Sequence, residues 1–227
     1  MWTNSFPQAV LADNLRKFNF DIKYFFYKDI SEDHSINLKF EKKKFKICKK
    51  CSKDQKRITK NFNFEFAYLE KYINSDDIYK INKTLNPIIK KNINDAIKLK
   101  FDGIPVGQFA LYTSILINKR QKITQFTKKQ KEIYLKDLKE CLLTICAFKK
   151  IFQTEKASSI ILYNSYYGKN RCIKFLANKY KVKTIIIHAG PNYANYLKTL
   201  IMSAKDYMDN FVDINTKLWK KFKNIPV

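Results

Sequence analysis

SSIILYNSYYGKNRCIKFLANKYKVKTIIIHAG, residues 158–190, decides the fold. Ser158–Tyr163 closes on an apolar run of the kind expected of a parallel strand covered on both faces. Asn164–Gly168 is a polar turn. Asn170–Tyr180 then reads as a helix with Ile173, Phe175, Leu176 and Ala177 inward. Val182–Ile187 is a second apolar strand, His188–Asn192 a second turn, and Asn192–Met208 a further helix. Strand, helix and strand within about thirty residues predict a right-handed crossover between parallel strands, the Rossmann-type β-α-β unit.

Upstream, Gln8–Phe18 reads as a helix entered after Pro7, and the short aromatic run Asp21–Tyr27 as a strand. A polar and helical excursion, residues 31–100, follows. It holds one short strand at Lys44–Ile47 and helices over Phe62–Asn74, Asp77–Leu85 and Ile88–Leu99. Ser75 or Asp76 caps the second helix, and Pro87 interrupts the pattern before the third. Phe101-Asp-Gly-Ile-Pro-Val-Gly107 leads into a helix over Gln108–Asn118. Thr127–Phe152 is the longest helix, with Leu135, Leu138, Leu142, Ile145 and Phe152 on one stripe and lysines opposite. The expected fold class is therefore α/β: a Rossmann-like parallel sheet with flanking helices and a helix-rich insertion in the middle. Residues 1–227 read as a single domain whose clearest β-α-β-α unit spans 158–208.

Composition narrows the function classes. The formal net charge is +25, which raises nucleic acid or an anionic membrane surface as a partner. Yet only Arg16, Arg57, Arg120 and Arg171 among the basic residues are arginine, the side chain suited to bidentate phosphate and base contacts. The lysines are spread along the chain with many Asn and Ile, as a codon bias would spread them. Nucleic acid is thus the less favoured partner. The five cysteines do not form a disulfide framework and suit a reducing compartment. With no secretory signal, and no apolar stretch near the ~20 residues of a membrane span, the expected location is cytoplasmic. Lysines allow peripheral attachment at the inner face of the membrane.

Ligands of open α/β sheets bind outside the carboxyl ends of the strands. That rule places Asn164, Tyr167, Asn170 and His188 at a cleft, with Gly168 and Gly190 allowing close approach. His188 has the chemistry of a base or of a donor to a sugar hydroxyl; the other histidine, His34, falls in the polar excursion. Gly103 and Gly107 frame a loop with the geometry of a substrate-facing entry to a buried helix. Cys48-Lys-Lys-Cys51 has the spacing of half a zinc site without a second pair of ligands, so no metal is expected. G-x-G-x-x-G, P-loop, H-E-x-x-H and G-x-S-x-G motifs are all absent from the sequence, and no cofactor is expected.

With these residues in place, the order of elements resembles the N-terminal, acceptor-side half of a GT-B glycosyltransferase of the bacterial surface- or capsular-polysaccharide kind. The resemblance is carried by Gln8–Arg16 with the following strand, by Cys48-x-x-Cys51, by Phe101–Tyr112 with its D-G-x-x-x-G loop, and by Ser158–Gly190. It implies a domain that binds a glycan or lipid-linked acceptor. The nucleotide sugar would be held by a second Rossmann half that these residues do not include, so that the chain is partial or inactive alone. Asp102 and His188 become candidate bases for the acceptor hydroxyl that attacks the anomeric carbon. The substrate-binding candidates are Gly103, Gly107, Asn164, Tyr167, Gly168, Asn170 and Gly190. Two other readings belong to different classes: a basic protein binding single-stranded nucleic acid through lysines and tyrosines, and a non-catalytic interaction domain.

Overall fold

The computed structural model describes residues 2–27, 44–90, 93–118, 126–189 and 200–203. Its described elements are α1 (Trp2–Lys17), β1 (Lys23–Phe26), α2 (Lys44–Phe62), β2 (Glu65–Tyr68) and a 3-10 turn (Leu69–Tyr72). They continue with α3 (Ser75–Lys90), α4 (Ile93–Ile97), α5 (Val106–Asn118), α6 (Lys128–Thr154), β3 (Ser159–Tyr163), α7 (Gly168–Lys179), β4 (Lys183–Ala189) and β5 (Leu200–Ser203). The protein is α/β and helix-rich. β1 and β2 pair in parallel, and β3, β4 and β5 form a separate sheet in that order.

The expected parallel pairing of the two apolar strands is present, but in a small sheet that is not parallel throughout and is separate from the β1–β2 pair. β3 and β4 are parallel, in register from Ser159 opposite Lys183 to Tyr163 opposite Ile187, with α7 between them in sequence. β4 runs further than the sequence pattern indicates, through His188 to Ala189, because its other edge is also paired. β5 lies antiparallel on that edge, Ile186 opposite Ser203 and Ala189 opposite Leu200. The helix expected over Asn192–Met208 is therefore corrected at Leu200–Ser203, where backbone groups close the ladder instead of a helical turn. Gly190 and His34 lie outside the described residues.

The middle of the chain departs most from expectation. Phe62–Asn74 is not a helix. Phe62 ends α2, and Phe64, Phe66 and Tyr68 follow with a period of two, which makes a strand. The β1–β2 register sets Tyr24 beside Phe66 and Phe26 beside Tyr68 on one face. Phe26 lies 6.0 Å from Phe66 and 6.4 Å from Tyr68 between ring centres. On the opposite face Phe25 packs against Tyr72 and Phe148. Lys44–Ile47, read as a strand, is the opening of α2, since no turn residue separates it from the helical run to Phe62. Cys48 and Cys51 therefore lie within one helix.

α3 passes through Pro87 to Lys90. The proline removes a hydrogen bond to the carbonyl of Lys83, and both residues are exposed, so solvent can take the freed acceptor. Its cap is Asn74, not Ser75 or Asp76. Asn74 Oδ1 accepts from Asp77 N at 2.9 Å, and Asp77 Oδ2 accepts from Asn74 N at 3.0 Å. Thr127 and Gln130 make the same reciprocal box at the start of α6.

α6 is the centre of the core. Every residue from Cys141 to Phe148 is buried, so this stretch is enclosed on all sides rather than along one stripe. α3, α5, α7 and the 3-10 turn all pack on α6. Phe25 and Tyr27 of the β1 strand region reach the same core. Among the described residues no helix is long and apolar enough to cross a membrane.

Candidate functional site

The chain leaves β3 at Tyr163 and enters α7 at Gly168, and the intervening turn is tightly self-bonded. Asn164 adopts a left-handed backbone (φ +62) that its short polar side chain tolerates. Its N–H donates to Ile187 O at 3.0 Å, extending the β3–β4 ladder, and its Oδ1 accepts from Tyr166 N at 2.8 Å. Asn170 Nδ2 donates back to Tyr163 O and Asn164 O at 2.6 and 2.7 Å. Both asparagines thus shape the turn. Ser165, 3% exposed, lies inside it with no hydrogen-bond partner for its Oγ among the described residues.

Three tyrosines gather at this turn. The Tyr112 ring of α5 lies 5.8 Å from both Tyr166, at an interplanar angle of 31°, and Tyr167, edge-on at 85°. All three are half-buried. Arg171 sits over the Phe109 ring at 4.7 Å, and Phe109 neighbours the more exposed Phe175 of α7. Burial raises the Tyr112 phenol pKa, and the Arg171 charge partly offsets that.

Directly after the turn, at the start of α7, is one member of a polar pair absent from the sequence-based candidates. Lys169 Nζ is 2.6 Å from Oε2 of the buried Glu140 and 4.6 Å from the centre of the Tyr27 ring. The Tyr27 hydroxyl is 3.0 Å from Thr144 Oγ1. Burial pushes the Tyr27 phenol up to about 12, against smaller lowering effects of Lys169 and Thr144. Burial works against the Lys169 charge, but Tyr27 and Glu140 overcome it, so its ammonium is raised above the ordinary lysine range. The residue that follows β1 and the first turn of α7 therefore meet at α6 through one lysine.

Two of the three described candidate glycines are closely packed. A β-carbon on Gly168 would stand 2.7 Å from Phe109 O and 2.9 Å from Cys141 Sγ, and one on Gly107 would stand 2.0 Å from Ala96 O. Gly107 is approached by the backbone of Ala96 and Ile97, and Gly168 by the backbone of Phe109 and the Cys141 thiol. Gly103 is different: φ is +83 and nothing lies within 4 Å of a β-carbon there. With Asp102 at φ +51, it forms a two-residue turn closed by reciprocal 2.9 Å bonds between Phe101 and Ile104.

Asp102 projects from that turn into a charge cluster. Its Oδ1 is 3.0 Å from Lys80 Nζ, and its Oδ2 pairs with Lys149 of α6. Partial burial tends to raise its pKa. The hydrogen bonds from Lys149 and Lys80 outweigh this and hold the carboxyl below the usual range. Two ammonium groups thus claim the carboxylate, which ties the turn to α3 and α6. His188 lies on β4 opposite Ile201, and its side chain is outside the described residues. Of the expected site residues, Asn164, Tyr167, Gly168 and Asn170 are assembled in one turn. Gly103 and Asp102 form another, with Gly107 just beyond it. Among the described residues no group of three or more His, Cys, Asp or Glu side chains could hold a metal. No protein-family model matches the chain, and neither a curated protein nor a solved structure matches it at a significant level.

Proposed function

We propose that this chain is the acceptor-binding side of a glycosyltransferase-like protein of surface polysaccharide assembly, with a Rossmann-like unit at 158–190. The observation that carries the reading is the group Tyr112, Tyr166 and Tyr167, gathered where parallel strand β3 delivers the chain to α7. A half-buried phenol offers an apolar face to the C–H side of a sugar ring and a hydroxyl to its OH groups. The place is the one the strand-end rule favours in α/β sheets. Lys169, two residues after Tyr167, ties α7 to α6 through Glu140, and Asn164 and Asn170 keep the turn in shape.

Transfer to such an acceptor needs a nucleotide sugar, so in this reading the chain acts with a donor-binding half. Asp102, already paired with two lysines, is a poor proton acceptor and a weak candidate for the base. His188 stays as the candidate base.

The test is direct titration of the chain with short oligosaccharides of bacterial surface glycans, followed by calorimetry. Tyr112→Ala and Tyr167→Ala should each weaken binding by up to roughly tenfold while the fold is kept. Glycan affinity that ignores both substitutions, or no glycan affinity at all, would remove this reading.

A further inference from the structure

α1 ends in a turn that exposes two phenylalanines. Asn19 takes a left-handed backbone (φ +62). Its N–H donates to Arg16 O at 3.0 Å, and Phe20 N donates to Leu15 O at 3.3 Å. These are the paired bonds of a Schellman cap, so the turn has a defined shape rather than a frayed end. Phe18 is 76% exposed and Phe20 53%. Arg16 bolts the turn to the junction of α2 and β2. Its guanidinium donates to Asn63 O at 2.9 Å and lies 5.1 Å over the Phe64 ring.

α2 brings a basic stripe to the same junction. Lys53, Lys56, Arg57 and Lys60 are exposed and fall at intervals of three and four, one face of a helix. Asp54 is the one acidic residue in the whole of α2. Lys17, at the end of α1, is exposed but lies 3.9 Å from Asp13, so the α2 lysines supply most of the charge. Apolar rings held proud of a surface beside a run of lysines combine the two attractions that seat proteins on anionic bilayers: apolar burial at the acyl boundary and charge at the headgroups.

We infer that the Phe18–Phe20 turn and the basic face of α2 form a docking surface for an anionic lipid bilayer. A nucleic acid fits this surface less well. Lysine dominates over arginine, and the two rings stand on a narrow turn instead of a broad platform on which successive bases stack. The inference does not depend on the glycan reading, because the residues involved are separate from the tyrosine turn.

The experiment is co-sedimentation with phosphatidylcholine vesicles, with and without phosphatidylglycerol, in parallel with titration of a single-stranded oligouridine. The wild type should sediment only with the anionic vesicles. Phe18→Ser/Phe20→Ser, which keeps the net charge, should lose roughly tenfold in vesicle affinity with an unchanged circular dichroism spectrum. Lys56→Ala/Lys60→Ala should weaken binding and flatten its salt dependence. Vesicle binding indifferent to the phenylalanine pair would overturn the inference, as would no binding to anionic vesicles. Oligouridine binding that both pairs of substitutions weaken, without vesicle binding, would assign the surface to nucleic acid instead. Loss of vesicle binding in the Tyr112→Ala and Tyr167→Ala chains would point to the other site and equally count against it.

Discussion

Lys169 of α7 and Glu140 of α6 form an ion pair of 2.6 Å directly after the tyrosine turn, with the carboxylate almost wholly buried. The pair joins the two helices at the point where β3 hands the chain over, and the ammonium also caps the Tyr27 ring. Removing one partner leaves the other charge without its counter-ion in a poorly solvated place. Glu140→Gln should therefore cost about 3 kcal/mol in urea denaturation, whereas Glu140→Leu/Lys169→Met should recover much of that loss. A double variant as unstable as the single one would show that the pair contributes through shape and not through charge.

The glycines can be ranked by what surrounds them. At Gly107 a methyl group would run into the backbone of Ala96 and Ile97, neither of which can swing aside. Gly107→Ala should destabilise by about 3 kcal/mol as α4 and α5 are forced apart. Gly103→Ala meets open space and carries only the left-handed backbone penalty, about 1 kcal/mol. Comparing the midpoints of the two variants in one denaturant checks the order, and the reverse order would contradict the packing described.

Those glycines also mark the limit of what the sequence discloses. The β3–α7–β4 crossover is legible because two apolar runs flank a helix-period segment within one short stretch, and each signal is local. The Asp102-Gly103 turn is legible because that dipeptide favours consecutive positive φ values. The role of Gly107 is not legible, since its neighbour Ala96 approaches through tertiary packing. The Lys169–Glu140 pair is hidden for the same reason, in a chain where lysines are so frequent that one carries no signal. β2 was hidden differently. Phe62, Phe64, Phe66 and Tyr68 do alternate, but the sequence around them also accommodates a helical spacing, and only the pairing with β1 decides between the two.

The Asp102 cluster sets a pH dependence. Its carboxyl has a lowered pKa in the folded chain, so the stability it contributes is present above the unfolded carboxylate value and is lost as pH falls through the folded one. Wild-type stability should decline below about pH 4, and Asp102→Asn should flatten that limb. At neutral pH the variant should be only about 1 kcal/mol weaker, because Lys80 and Lys149 are partly solvated. Thermal midpoints measured across the acid range test this, and parallel curves for the two chains would exclude Asp102 from the acid transition.

α7 ends on a residue that chemistry would replace. Lys181 has φ +58, and the bonds Lys181 N to Asn178 O (3.2 Å) and Val182 N to Ala177 O (2.8 Å) form a Schellman cap around it. A side chain in the left-handed region costs roughly 1–2 kcal/mol, and glycine avoids this at a smaller cost in unfolded-chain entropy. Lys181 is exposed, so little packing is lost with its side chain. Lys181→Gly should accordingly stabilise the chain by about 0.5–1 kcal/mol and raise its thermal midpoint by a few degrees. The effect should be the same at high salt, because it comes from backbone conformation and not from the lost charge. A gain that disappears in high salt would trace it instead to relief of repulsion among the lysines.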